Sequence, residues 1–206
     1  MSSSSEAVTH LPETSLGERH LKIGFWTFLG SECFFFGSLI GTYMSYRGTS
    51  PVPPFPHHGP PDGTGILNIP VTSVSTFVLL TSSLAMVLAL AACQRANRRG
   101  TTIWLGVTAL FGLIFLGFQA FEFTEFYHNG LSLQQNLFGS TFFVLTGFHG
   151  AHVSIGVLWL LSLLVINLRE GIPPERALNV EIAGLYWHFV DIVWIVIFTL
   201  VYLIPD

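Results

Sequence analysis

The chain of 206 residues is 50% hydrophobic, 14% aromatic and only 10% charged, where a soluble domain carries about 25% charged residues. Its mean hydropathy of +0.61 means more apolar surface than one core of this size hides from water, which excludes an ordinary soluble globular domain and makes a bilayer the natural solvent. Eight Lys and Arg against twelve Asp and Glu give a formal charge of −4 with no basic stripe, which excludes nucleic acid as a partner.

Residues 1–20, with Ser2 to Ser5 and Glu6, Glu13 and Glu18, form a polar, flexible segment. It lacks the positive start and short apolar region of a cleaved signal peptide, so the first span is expected to be retained, and residues 21–206 to form a single membrane domain. Stretches of about 20 apolar residues cross about 30 Å of hydrocarbon, and five fit: 22–46, 70–94, 101–125, 138–167 and 181–203. The fold class expected is an all-α integral membrane protein, a bundle of five transmembrane helices. No charged residue falls between Asp62 and Arg95, or between Glu125 and Arg169, which makes the second and fourth spans the clearest. Between the first two, residues 48–69 hold six prolines and four glycines, a composition that forms an extended loop and no helix. His57 and His58 within it are read as solvated loop histidines. Cys33 and Cys93 sit inside apolar runs, so no disulfide framework or Cys-based zinc site is available, and both are expected to be packed thiols.

Seven of the eight basic residues, Arg19, Lys22, Arg95, Arg98, Arg99, Arg169 and Arg176, fall on the N-terminal side of the membrane and only Arg47 on the other. The positive-inside bias then puts the N-terminus inside and the C-terminus outside. Arg95, Arg98 and Arg99 suit anionic lipid head groups; the other reading is that they only enforce topology. Small residues four apart, as in Gly37 with Gly41, Gly147 with Ala151 and Gly150 with Ser154, would let helices approach closely.

Charged groups near the bilayer centre cost about 2.5–3.5 kcal/mol each on insertion scales, and here they are few. Glu32 lies ten residues into the first span and Asp191 ten into the fifth, about 15 Å deep by helical rise. Glu122 with Glu125, His149 with His152 and His188 with Asp191 are each spaced i, i+3, which places the members of each pair on a shared helix face turned inward. One reading has these groups bond one another and hydroxyls such as Ser31, Thr141 and Thr146 to fix helix register. A di-metal site would need Glu-x-x-His on two helices with a Glu on two others, whereas only Glu125-Phe-Tyr-His128 fits; a bis-histidine haem lacks evenly placed pairs. A third reading is proton handling, with Glu32 the best candidate because Ser31-Glu32-Cys33 sets a polar point against the aromatic wall Phe34-Phe35-Phe36, where the carboxyl must stay protonated or find a donor.

The strings Gly139-Ser-Thr-Phe-Phe-Val-Leu-Thr-Gly-Phe-His149-Gly-Ala-His152-Val and Tyr186-Trp187-His188-Phe-Val-Asp191-Ile-Val-Trp194, with Phe25-Trp26, Ser31-Glu32-Cys33-Phe-Phe-Phe and Gln119-Ala-Phe-Glu122-Phe, resemble subunit III of the haem-copper oxidases from about Gly24 to the C-terminus. The resemblance implies a bacterial five-helix form in the cytoplasmic membrane that carries no haem, copper or catalytic residue of its own. It would pack on catalytic subunit I, with subunit II and small subunits as further partners, and the haems and copper would lie in those partners. The roles implied are stabilising subunit I during turnover, supporting proton uptake and holding structural phospholipid. Glu32 resembles the family's buried first-span glutamate, and Glu122, His149, His152, His188 and Asp191 match its other intramembrane polar positions. Longer members have two further N-terminal helices, so the lipid-holding cleft between helix groups is incomplete in this chain alone. The electron donor implied is cytochrome c, with quinol oxidase or nitric oxide reductase partners as alternatives; readings from another class are an autonomous membrane metalloenzyme or a proton channel.

Overall fold

The computed structural model describes residues 14–49, 67–134 and 136–204. They form α1 (Thr14–Tyr46), α2 (Ile69–Gln94), α3 (Arg98–His128), α4 (Leu137–Arg169) and α5 (Ala177–Phe198), with a short 3₁₀ turn at Pro174–Arg176 and a π turn at Thr199–Leu203 that ends α5. Among the described residues, five helices are long and apolar enough to cross a membrane. The proline-rich loop with His57 and His58 lies outside the described residues.

Local chemistry sets the helix ends. Asn68, Asn97 and Asn136 each precede a helix and accept, through the side-chain oxygen, a backbone N–H from Val71, Gly100 and Gly139, satisfying donors that a first turn leaves orphaned. α1, α3 and α4 are followed by Gly48, Gly130 and Gly171 at φ 67°, 82° and 79°, the left-handed conformation in which a chain leaves a helix and for which glycine is the least strained residue.

α2 packs on α3 and α5, α3 on α4, and α4 on α5, so four helices close a ring; α1 lies outside it against α4 and α5. Leu29, Phe36 and Tyr43, at 5%, 2% and 1% exposure, are the buried hydrophobics of α1 among the described residues. Their seven-residue spacing is the narrow seam by which one helix lies along a pair of neighbours. At the ends, Lys22 Nζ reaches Glu181 Oε1 at 2.8 Å, and the Arg47 guanidinium donates to the Ile204 carbonyl.

Two tryptophans fill the ring. Trp187 Nε1 donates to Ser82 Oγ at 2.8 Å and Trp194 Nε1 to Thr76 Oγ1 at 2.9 Å, giving each buried indole the partner it needs. Gly112 and Gly156 leave the space that Trp187 occupies, and Gly150 the space under Gln119. Of the small residues expected to allow close approach, Gly150 does so, whereas a Cβ at Gly37, Gly41 or Gly147 would meet nothing within 4 Å. Cys93 is buried, but Cys33 is exposed on α1, so only one of the two thiols is packed within the chain.

The end of the bundle carrying Arg95, Arg98 and Arg99 is closed by Asn167, which is fully buried. Its Nδ2 donates to Arg98 O at 3.1 Å and Thr102 Oγ1 at 2.8 Å, and its Oδ1 accepts from Ile172 N at 3.0 Å. Arg98 in turn donates from Nε to Asn167 O at 2.8 Å and from a terminal nitrogen to Leu168 O at 2.6 Å, placing a cation on the last carbonyls of α4, where the helix dipole favours it. Arg95 and Arg99 are exposed.

Candidate functional site

α1 and α4 bring Glu32 and His152 together. His152 Nε2 stands 3.1 Å from Glu32 Oε2, with the two side chains 14% and 18% exposed. The ring is held from its other nitrogen, since Nδ1 lies 2.7 Å from the Phe148 carbonyl of the preceding turn and can only donate to it. With the Nδ1 proton committed, the contact to Glu32 is a hydrogen bond when one more proton lies between the partners, on the carboxyl or on Nε2. The pair is therefore a single-proton site, a neutral acid beside an imidazole or a carboxylate beside an imidazolium. Phe36 packs edge-on against His152 with centroids 4.9 Å apart, Phe35 lies at 6.2 Å, and Tyr186 Oη donates to the His152 carbonyl at 3.1 Å. Phe35 and Phe36 of the aromatic run after Glu32 thus pack on the His152 ring, and the hydrogen-bond partner that an acid at this depth requires is His152.

The remaining polar groups occupy separate places. Glu122 is 3% exposed and takes the Thr72 hydroxyl proton across the α2–α3 contact. Near it Gln119 donates to the Thr146 carbonyl at 2.7 Å. His149 is fully buried, with Nε2 at 3.2 Å from the Val190 carbonyl and its ring between Trp194 at 4.8 Å and Phe115 at 5.7 Å. His188 and Asp191 converge on Ser83, whose Oγ lies 2.8 Å from His188 Nδ1 and donates to Asp191 Oδ2.

Two expectations need correction. The i, i+3 pairs do not act as units: His149 turns to α5 and His152 to α1, while Glu122 is buried and Glu125 is half-buried. Only His188 and Asp191 share a partner. Positions three apart differ by about 60° around a helix, enough to face different neighbours when a helix sits between two. The hydroxyls named for the acids are also not the ones that serve them. Ser31, Thr141 and Thr146 bond back to carbonyls of their own helices, and Thr72 and Ser83 of α2 do the work. These two were missed because α2 carries seven hydroxyl side chains and its sequence does not say which face the partners.

Among the described residues no group of three or more His, Cys, Asp or Glu could hold a metal ion. The site offers hydrogen-bonded ionisable groups at mid-depth and no complete ligand set.

The family model described as Cytochrome c oxidase subunit III matches residues 3–205. The chain is 39% identical over 181 residues to cytochrome c oxidase subunit 3 of Bacillus sp. (strain PS3), covering 88% of this chain and 84% of that protein. It is 37% identical over 198 residues to cytochrome c oxidase subunit 3 of Alkalihalophilus pseudofirmus (strain OF4), covering 95% and 92%. It is also 37% identical over 186 residues to the probable quinol oxidase subunit 3 of Staphylococcus saprophyticus, covering 89% and 88%.

Proposed function

From the premise that the chain belongs to the cytochrome c oxidase subunit III family, a multi-pass subunit of a haem-copper oxidase, we propose that it stabilises the catalytic subunit and supports proton uptake through Glu32 and His152. The carrying observation is the single-proton pair at mid-depth on the peripheral helix. Such a pair can pass its shared proton from one partner to the other while staying neutral overall, in a membrane where an unpaired charge is most costly. Its place on α1 matters, because the outward side of that helix presents Thr27, Gly30, Phe34, Gly37, Ser38 and Gly41 as exposed or half-exposed residues, with Phe34 83% exposed. Small residues with open space above them let a second membrane helix approach closely, which supports direct docking on subunit I by the side of α1 that faces away from Glu32 and His152.

In this reading the arginine-rich end faces the cytoplasm of a bacterium, subunit II and small subunits complete the assembly with structural phospholipid, and the electron donor is cytochrome c. A quinol-oxidising complex is the second reading, favoured by the 37% identity to the staphylococcal probable quinol oxidase subunit. Haems and copper belong to the partner subunits, and this chain's residues hold and orient one proton.

The test is Glu32→Ala in the intact oxidase. Haem content is expected to stay unchanged while turnover decays faster over successive cycles or fewer protons are pumped per electron. Activity and pumping that persist unchanged over many turnovers would remove Glu32 from the mechanism.

A further inference from the structure

The α2–α5 side of the ring carries a polar pit that this reading does not use. Ser83 and His188 are half-buried and Asp191 is 3% exposed. Ser83 gives its hydroxyl proton to Asp191 Oδ2, so the 2.8 Å contact with His188 Nδ1 is an N–H donation to the hydroxyl oxygen, which has a single proton to give. The chain of bonds therefore runs from His188 through Ser83 to Asp191, and His188 Nε2 is its open terminus. In a neutral ring with Nδ1 protonated, that terminus is an acceptor.

The pit sits where water is scarcest. His188 is 11 residues past Ala177, the first residue of α5, about 16 Å along the axis and near the middle of a hydrocarbon layer about 30 Å thick. By helical spacing Ser83 shares its face with Leu80 and Val87, and His188 with Ile192 and Ile195, at 39%, 50%, 59% and 41% exposure. An apolar, membrane-facing surface thus encloses an acceptor that lipid tails do not satisfy.

We propose that this face is a helix–helix interface with another subunit of the oxidase, whose helix presents a hydrogen-bond-donating side chain to His188 Nε2. The inference rests on the chain being one subunit of a larger assembly. A phospholipid carries its donors at the head group, about 15 Å from this depth. A second copy meeting this face across a two-fold axis would set one His188 acceptor against another with no donor between them.

The experiment places a photo-crosslinking residue at Val87 or Ile192 in the intact complex, with Leu110 on α3 (53% exposed) as the control face and Phe34 on α1 as the probe of the subunit I contact. Val87 and Ile192 are expected to capture an oxidase subunit, identified by mass spectrometry, that Leu110 does not capture. His188→Leu is expected to release this chain from the complex in mild detergent about tenfold more readily, the scale of one interhelical hydrogen bond. His188→Gln, which keeps an acceptor, is expected to hold. Adducts from Val87 and Ile192 to lipid alone, to a second copy of this chain, or in the same pattern as Leu110 overturn the proposal. Should Phe34 capture no oxidase subunit either, the docking reading of α1 fails with it; capture from Phe34 alone confines the failure to this face. The crosslinks are made with the native pit, so they decide the matter even where a His188 variant folds poorly.

Discussion

Gly112→Ala and Gly37→Ala separate what holds the chain together from what holds it to a partner. A Cβ at Gly112 would lie 2.6 Å from Trp187 Cη2 and 2.7 Å from Val157 Cγ2, against the ~3.5–4.0 Å at which carbon atoms rest. The overlap of about 1 Å falls on two sides, from α5 and α4 together. Neither neighbour gives way easily: Trp187 is 1% exposed and pinned by its bond to Ser82, and Val157 is 3% exposed. Overpacking of a filled core costs about 1–3 kcal/mol, and a clash on two sides belongs at the upper end, a shift of roughly a hundredfold in the unfolding equilibrium. At Gly37 a Cβ meets nothing within 4 Å, so alanine there costs the isolated chain nothing and gains up to about 1 kcal/mol of helix propensity. Denaturation of the full chain in mild detergent, followed by circular dichroism, is expected to show Gly112→Ala destabilised and Gly37→Ala not. Co-purification with the oxidase is expected to show Gly37→Ala weakened, because its methyl group occupies the surface that a docking helix needs. An isolated chain indifferent to Gly112→Ala, or as much harmed by Gly37→Ala, would refute the reasoning.

Thr72→Val removes the hydroxyl that serves Glu122 while keeping its shape. A loss of about 1–3 kcal/mol is expected from the buried acid left without that donor, with Thr72→Ser restoring it; thermal unfolding of the two variants side by side is the check, and a valine variant as stable as the parent would count against the bond. Asn167→Leu deletes three bonds, to Arg98 O, Thr102 Oγ1 and Ile172 N, for an expected cost of about 2–4 kcal/mol. Faster proteolysis at the α4–α5 connection would report it, whereas protection equal to the parent's would show that the clamp is not needed.

The five helices were legible because membrane-length apolar runs are hard to mistake, and the misplaced ends have identifiable causes. The first span was read from Lys22, yet α1 begins at Thr14, since the polar run Gly17-Glu18-Arg19-His20 carries no apolar signal although it is helical. α3 starts at Arg98 under its Asn97 cap, three residues before the apolar run. The fifth span was read from Glu181 to Leu203; the observed span does end at Leu203, with a final π turn over Thr199–Leu203 that hydropathy does not distinguish from α-helix, but α5 begins at Ala177, four residues before the apolar run. Of the site, Glu32 and the histidines were visible as misplaced polarity, and the need for a donor to Glu32 followed from its aromatic surroundings. That the hydrogen-bond partner is His152 was not visible, because it depends on α1 crossing α4 at one register. The function was legible through family resemblance, since spacing alone left packing, metal and proton readings open.

Why the site should sit on the least buried helix follows from the membrane itself. Inside the ring, Glu122, Asp191 and both indoles find partners on facing helices, so α2 to α5 are locked by bonds as well as by packing. Lipid tails are as apolar as leucine, so no hydrophobic force holds α1 to that ring. It is held by the Leu29, Phe36 and Tyr43 seam, by the Glu32–His152 pair and by a tie at each end. The free side of α1 mixes exposed Ile23, Trp26 and Phe34 with the small residues Thr27, Gly30, Gly37, Ser38 and Gly41, and it is the small ones that give a docking helix room to approach. With helices packing about 8–10 Å apart, a partner docked on that side stands across the α1 backbone from Glu32, whose side chain turns to His152 of α4. The Glu32–His152 contact is one of the ties that fasten α1 to the ring, so a partner that shifted α1 would shift that contact with it. If proton uptake runs through Glu32 and His152 as proposed, attachment and proton handling draw on the same pair, and loosening α1 is expected to disturb both.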